Sequence, residues 1–168
     1  MIKKITGNKV FSFSSKIFED DRGTLKKIYP VIENFEIKDQ YVTRSKKNTF
    51  RGLHYQVAPH GANKILTVLK GEIIDIALCM DKNSKYYLKK FITELSHETN
   101  DSIYIPKYFA HGFITPISSE VLCSMDDIYS PECERGVHIK SISEFEHKDF
   151  VLSEKDKFLE IINENIIK

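Results

Sequence analysis

Between residues 64 and 80 the chain reads KILTVLKGEIIDIALCM, two strand-length apolar runs broken only at Lys70–Gly71. That break is the strongest β-hairpin signal in the sequence. By period two, Ile74, Ile76, Leu78 and Met80 share one face of the second run, and Ile73, Asp75, Ala77 and Cys79 the other. Short segments rich in β-branched and aromatic residues recur along the chain: KVFSF at 9–13, IENFEIKDQYVTRS at 32–45, NTFRGLHYQV at 48–57, SIYIP at 102–106, HGFITPI at 111–117 and EVLCSMDD at 120–127. Turn-rich stretches separate them, notably FEDDRGTL around Gly23 and APHGANK at 58–64. Only LSEKDKFLEIINENI at 152–166 reads as helix, capped by Ser153, with Asp156 three residues on and a stripe of Phe158, Leu159, Ile162 and Ile166. The pattern predicts an all-β fold, a sandwich or barrel of jelly-roll type with about ten antiparallel strands and a short C-terminal helix.

The 168 residues suit one domain, and 41% hydrophobic content supplies a core. The 25 basic residues nearly balance 24 acidic ones. Nucleic-acid binding by bulk charge is therefore not expected. No apolar run reaches membrane-spanning length, so no membrane partner is expected. Three cysteines, Cys79, Cys123 and Cys133, form no CxxC, and no signal peptide opens the chain. The expected location is the reducing cytoplasm. Arginine is scarce among the lysines: only Arg22, Arg44, Arg51 and Arg135. Each is a candidate bidentate phosphate ligand.

RGLHYQ, residues 51–56, crowds polar groups into a strand. Simple alternation puts Gly52, His54 and Gln56 on one face and Arg51, Leu53 and Tyr55 on the other. For Arg51 and His54 to serve one site, the strand must start or bulge near Gly52. His54 itself fits either a hydrogen-bonded structural histidine or a pocket wall. Gln56 stands where an HxH metal pair would need a second histidine. His60, His97, His111, His138 and His147 show no ligand spacing, so neither metal nor cofactor is expected. Asp75 interrupts an apolar strand, which requires a partner or a cavity. Lys64, opening the preceding strand of the same hairpin, fits as that partner, in a pocket or as an ordinary cross-strand pair. His111, between aromatics in FAHGF, reads as core or pocket wall. Cys123 reads as a small buried hydrophobe, Tyr129 as a surface aromatic beside the Ser130–Pro131 turn, and Asp156 as a capping acid.

Taken together, DRG at 21–23, RGLHYQ at 51–56, KILTVLKGEIIDIAL at 64–78, YIPKYFAHGF at 104–113, VLCSMDDIYSPECERG at 121–136 and LSEKD at 152–156 resemble, in order, the dTDP-4-dehydrorhamnose 3,5-epimerase family of the cupin superfamily. The resemblance implies a single cupin-type jelly-roll domain over 1–168, with 150–168 a helical tail closing back over the barrel, and a homodimer with exchanged N-terminal strands. It implies a nucleoside diphosphate 4-keto sugar as substrate, deprotonated beside the ketone to an enolate and reprotonated on the other face. His54 would be the base, Asp156 its partner acid and Lys64 the stabiliser of the enolate oxygen. Arg22 and Arg51 would bind the diphosphate, and Gln56, Asp75, His111 and Tyr129 would line the substrate pocket. Cys123 stands where the family usually places a tyrosine proton donor, which leaves Cys123, Tyr129 or water in that role. Tyr41 stands where asparagine is common in the family. These departures suit inversion at C3, with C5 open, on a dTDP- or GDP-linked 4-keto hexose or heptose. The alternatives are a ketoisomerase and a non-catalytic nucleotide-sugar binding barrel.

Overall fold

The computed structural model describes residues 9–28, 32, 34–99, 101–163 and 167. Twelve strands form in chain order: β1 (Phe11–Phe13), β2 (Lys16–Asp20), β3 (Gly23–Lys27), β4 (Asp39–Ser45), β5 (Thr49–Gln56), β6 (Lys64–Lys70), β7 (Glu72–Cys79), β8 (Lys90–Ser96), β9 (Ser102–Ile105), β10 (Phe109–Thr115), β11 (Ser119–Met125) and β12 (Glu134–Gly136). Two short 3-10 turns follow, then a one-turn helix, α1 (Glu154–Lys157). The all-β expectation is met, but the barrel is not formed. Two open five-stranded sheets, in the orders β1-β9-β6-β11-β4 and β12-β5-β10-β7-β8, face each other, and β2 and β3 make a separate two-stranded sheet. The strand pairings are antiparallel.

The hairpin expected at Lys70–Gly71 is instead a corner. β6 pairs with β9 and β11 in one sheet, and β7 pairs with β10 and β8 in the other. The chain changes sheet across Gly71, which sits at φ 78°. A Cβ there would lie 2.5 Å from the Ser119 hydroxyl and 2.7 Å from the Ser118 carbonyl. Ser119, at the start of β11, accepts from the Glu72 N–H at 3.1 Å and donates to the Glu72 carbonyl at 2.8 Å. One side chain thus ties the two sheets together at the corner, while edge-to-edge pairing goes to other strands.

The alternation of β7 is realised on two buried faces. Ile73, Ala77 and Cys79 join Leu66, Val68, Ile103, Val121 and Phe113 in the core between the sheets. Ile76 and Leu78 face the other way, into a second core with Phe50, Leu53, Val137, Ile139, Ile142 and Phe145. The segment after β12 therefore covers the outer face of the β5–β10–β7 sheet. Val151 continues this cover, accepting from the Phe50 N–H at 3.1 Å and donating to the Asn48 carbonyl at 2.9 Å. The Ser153 cap forms, its hydroxyl accepting from the Asp156 N–H at 3.1 Å. The helix stops after Lys157, however, and Phe158 is 85% exposed, so the expected stripe is not buried as a helical face. Ile166 lies outside the described residues.

β5 carries the bulge that RGLHYQ requires. On β10, His111 pairs with His54 and Phe113 with Arg51, so three steps on β5 match two on β10. Gly52, at φ 121°, occupies the extra step. A Cβ on Gly52 would lie 2.5 Å from the His111 carbonyl and 2.6 Å from the Gly112 Cα. Backbone meets backbone here, with no flexible side chain to yield. We predict that Gly52→Ala costs about 2–4 kcal/mol and lowers the melting temperature by roughly 5–15 °C. Thermal unfolding followed by circular dichroism measures this; a variant melting with the parent protein would refute it.

Candidate active site

The bulge turns Arg51 and His54 toward one space between the sheets. That cavity, of about 620 Å³, has His54, Arg51, His111 and Phe113 on one wall and Tyr41, Thr43, Lys64, Leu66, Val121 and Cys123 on the facing wall. Residues 151–153, 155 and 156 close a third side. A smaller cavity of about 360 Å³ shares Tyr41, His54 and Lys64 and adds Gln56, Tyr129 and Glu134. His54, Lys64 and Tyr41 thus stand where the two spaces meet.

His54 Nε2 lies 2.7 Å from Asp156 Oδ1. The 3-10 turns and the Val151 backbone bonds bring residue 156 back onto β5, and the Ser153 cap orients it. Asp156 is buried, which by itself raises a carboxyl pKa. Hydrogen bonding and charge attraction from His54, with bonds from Ser153 and the Gly52 backbone, outweigh that and hold it below the ordinary carboxylate range. The Asp156 carboxylate fixes the His54 tautomer with Nε2 protonated. Nδ1 lies 3.8 Å from Glu134 Oε1, beyond hydrogen-bond reach, and is left to take a proton.

Lys64 Nζ donates to the His54 carbonyl at 3.3 Å. Burial pushes its pKa down, partly offset by Cys123, Glu134 and Asp75. Asp75 does not take Lys64 as its ion-pair partner. It is fully buried, and its Oδ2 lies 2.6 Å from His111 Nε2. The reason is the corner at Gly71: Lys64 and Asp75 are on different sheets, whereas β7 and β10 are neighbours. His111 lines the cavity and Asp75 stands behind it.

The remaining candidates divide. Arg51 faces the cavity and its Nε donates to the Ser45 hydroxyl at 2.8 Å. Gln56 spends its amide group on loops: it donates to the His60 carbonyl at 2.5 Å and the Ile128 carbonyl at 3.0 Å, and accepts from the Ser130 N–H at 2.6 Å. Tyr129 is half-exposed at the rim and donates to Glu134 at 2.8 Å. Arg22 is not at this site. It lies in the β2–β3 turn, its side chain 90% exposed and bonded to Asp20. Cys123 is 5% exposed, within the core between the sheets. Burial pushes its thiol pKa up, so the thiol stays protonated.

Two residues of the site escaped the sequence reading. Glu134 is held by Tyr129 and Lys155. Burial alone raises its carboxyl, yet those two hydrogen bonds prevail and hold it below the usual range. A charge in the three-residue strand β12 gave only a weak signal. Tyr41 is the second. It is the direct cross-strand partner of Cys123 and lines both cavities. Its position beside Cys123 depends on β4 pairing with β11, nearly eighty residues away in sequence (78 between Thr43 and Val121). Among the described residues, no three His, Cys, Asp or Glu side chains converge as metal ligands. No helix among them is long and apolar enough to cross a membrane.

A histidine paired with a carboxylate, a half-buried lysine beside it and an arginine at the cavity mouth make a site for proton transfer on a small anionic molecule. Comparison with known proteins specifies it. The family model for dTDP-4-dehydrorhamnose 3,5-epimerase matches residues 4–164. A dTDP-4-dehydrorhamnose 3,5-epimerase of Shigella flexneri is 32% identical over 158 residues, covering 88% of this chain and 87% of its own. The crystal structure of the enzyme of that name from Sulfolobus tokodaii superposes with a TM-score of 0.79 at 30% identity, over 90% of this chain and 88% of that one. A dTDP-6-deoxy-D-glucose-3,5-epimerase from Legionella pneumophila, in complex with dTDP-4-keto-L-rhamnose, gives 0.78 at 25% identity, over 95% of each chain. The chain belongs to the dTDP-4-dehydrorhamnose 3,5-epimerase family. It is an isomerase, an epimerase that binds a nucleoside diphosphate sugar.

Because the folded Asp156 pKa is lowered, its pairing stabilises the fold fully above the unfolded value of 3.8 and is lost as pH falls through the folded value. We predict that Asp156→Asn melts below the parent protein at pH 5–6, and that the gap closes progressively below about pH 4. Melting curves of both proteins across this range decide it; a gap that is constant or widens on acidification contradicts the pairing.

Proposed function

We propose that the substrate is a dTDP-linked 4-keto-6-deoxy hexose and that the protein inverts a carbon flanking the ketone through an enolate. The observation that carries this reading is the His54–Asp156 pair at 2.7 Å, opening onto a cavity that Lys64 and Arg51 also line. His54 removes the proton next to the ketone, and Asp156 supports the imidazolium that forms. Lys64 hydrogen-bonds the developing enolate oxygen; its lowered pKa brings its acidity closer to that oxygen's. Arg51 takes a phosphate of the carrier, since its guanidinium is open to the cavity. The choice of dTDP rests on the relatives' names.

The β2–β3 hairpin supports a homodimer. Ile17, Phe18 and Leu25 are all at least 43% exposed on it. A two-stranded sheet is marginally stable by itself. Lys26 anchors this one to the body, through the His97 carbonyl at 2.8 Å and Asp101 at 2.7 Å. A second copy would cover these exposed apolar side chains, with Phe18 and Leu25 on one face of the hairpin and Ile17 on the other, and Arg22 at the turn would then reach the partner's diphosphate site. The three free cysteines suit a reducing cytoplasm.

A time course in D2O with dTDP-4-keto-6-deoxyglucose, followed by NMR, tests the reading. We expect deuterium at C3, C5 or both, with inverted configuration, and a loss of exchange of roughly 10²–10⁴-fold in His54→Asn. Full exchange in that variant removes His54 as base. A ketone moved to C3 identifies a ketoisomerase instead.

A further inference from the structure

Inverting a carbon centre takes two groups. A base removes the proton from one face and an acid returns one to the other. With His54 as base on the β5 wall, the acid belongs on the facing wall. It must hold a proton near neutral pH and project into the space.

The facing wall offers few candidates. Lys64 is on this wall, but it is bonded to the His54 backbone and serves the enolate oxygen. Thr43 points its hydroxyl at the Val121 carbonyl, 3.5 Å away, and an aliphatic alcohol is far too weak an acid. Cys123 is sunk in the core between the sheets, 5% exposed. Tyr41 remains. It lies directly across the β4–β11 pair from Cys123, so the two side chains share a face of the sheet. It is 45% exposed and lines both cavities alongside His54.

We propose that Tyr41 is the acid of the epimerase reaction, delivering its phenolic proton to the sugar carbon on the face opposite His54. The inference rests on the epimerase reading above. In the step, the C–H electron pair moves into the C–C bond as His54 takes the proton, and the C4 carbonyl becomes an enolate. The enolate carbon then takes the Tyr41 proton from the other side and the carbonyl re-forms. The products of the step are a His54 imidazolium and a Tyr41 phenolate, which exchange protons with water to restore both groups. Partial desolvation raises the Tyr41 pKa above that of a free phenol, so the phenol stays protonated at neutral pH and is a weaker acid than a free one.

The test compares Tyr41→Phe and Cys123→Ala with the parent protein, using dTDP-4-keto-6-deoxyglucose in D2O and melting curves for all three. Tyr41→Phe is expected to melt within a few degrees of the parent protein. It should still place deuterium at the reacting carbon with retained configuration, because His54 can remove and return a proton, while inversion falls about 100-fold or more. Cys123→Ala should keep inversion within about tenfold. Inversion at the parent rate in Tyr41→Phe overturns the proposal. So does loss of exchange together with inversion, which makes Tyr41 a structural element of the pocket. A large loss in Cys123→Ala with none in Tyr41→Phe moves the acid to Cys123. If the parent protein neither exchanges nor inverts this substrate, the substrate reading itself falls, and this proposal with it.

Discussion

The site depends on a backbone contact. Where β5 crosses β10, Gly52 and Gly112 approach so closely that a Cβ on either would lie within 2.6 Å of main-chain atoms of the other strand. That approach admits one extra residue into β5, and the extra residue turns the strand. Without it, Arg51 and His54 alternate to opposite faces, one toward the cavity and one away from it. With it, the Arg51 guanidinium and the His54 imidazole share a wall. The His54–Asp156 and His111–Asp75 pairs then sit on neighbouring strands, each histidine at the cavity and each acid buried behind or beside it.

The same sheet explains why the chain's end belongs to the site. Both faces of β7 are apolar, so its outer face must be covered. The segment from Val137 onward provides the cover, with Ile139, Ile142 and Phe145 packed on Ile76 and Leu78. Its path returns the chain to β5 at Val151 and delivers Asp156 to His54 five residues later. Burial of apolar surface, at about 25 cal/mol per Å², supplies the driving force. The His54–Asp156 pairing is placed by hydrophobic cover, and the short helix contributes mainly its Ser153 cap.

Much of this was legible in the residues. The strand-like segments contain β1, β4–β7 and β9–β11, while β2 and β3 arose from a stretch read as turn and β8 and β12 from stretches not read as strands. The period-two faces of β7 became two cores, and the need for a bulge at Gly52 followed from asking Arg51 and His54 to share a site. What the residues did not reveal was which strands pair. Lys70–Gly71 looks like a hairpin because a glycine between two apolar runs usually is one. Here Ser119 and the flanking sheets claim the strand edges, and the chain turns a corner. That single difference separates Lys64 from Asp75 and gives Asp75 to His111. It also undoes the barrel, since both large sheets stay open. Tyr41 was hidden for the same reason: only the β4–β11 register sets it beside Cys123. Gln56, which the resemblance put in the substrate pocket, lines the smaller cavity, with its amide bonded to three loop backbone groups.

The central claim is geometric: two opposed walls, with His54 on one and Tyr41 on the other, and the reacting carbon between them. The most direct measurement is a crystal structure with a dTDP-linked 4-keto sugar or a close analogue bound. The account predicts the His54 ring nitrogen and the Tyr41 oxygen on opposite faces of the sugar ring, each within roughly 3–3.5 Å of the same carbon beside the ketone. A sugar bound with both groups on one face, or bound outside the space between the sheets, would contradict it.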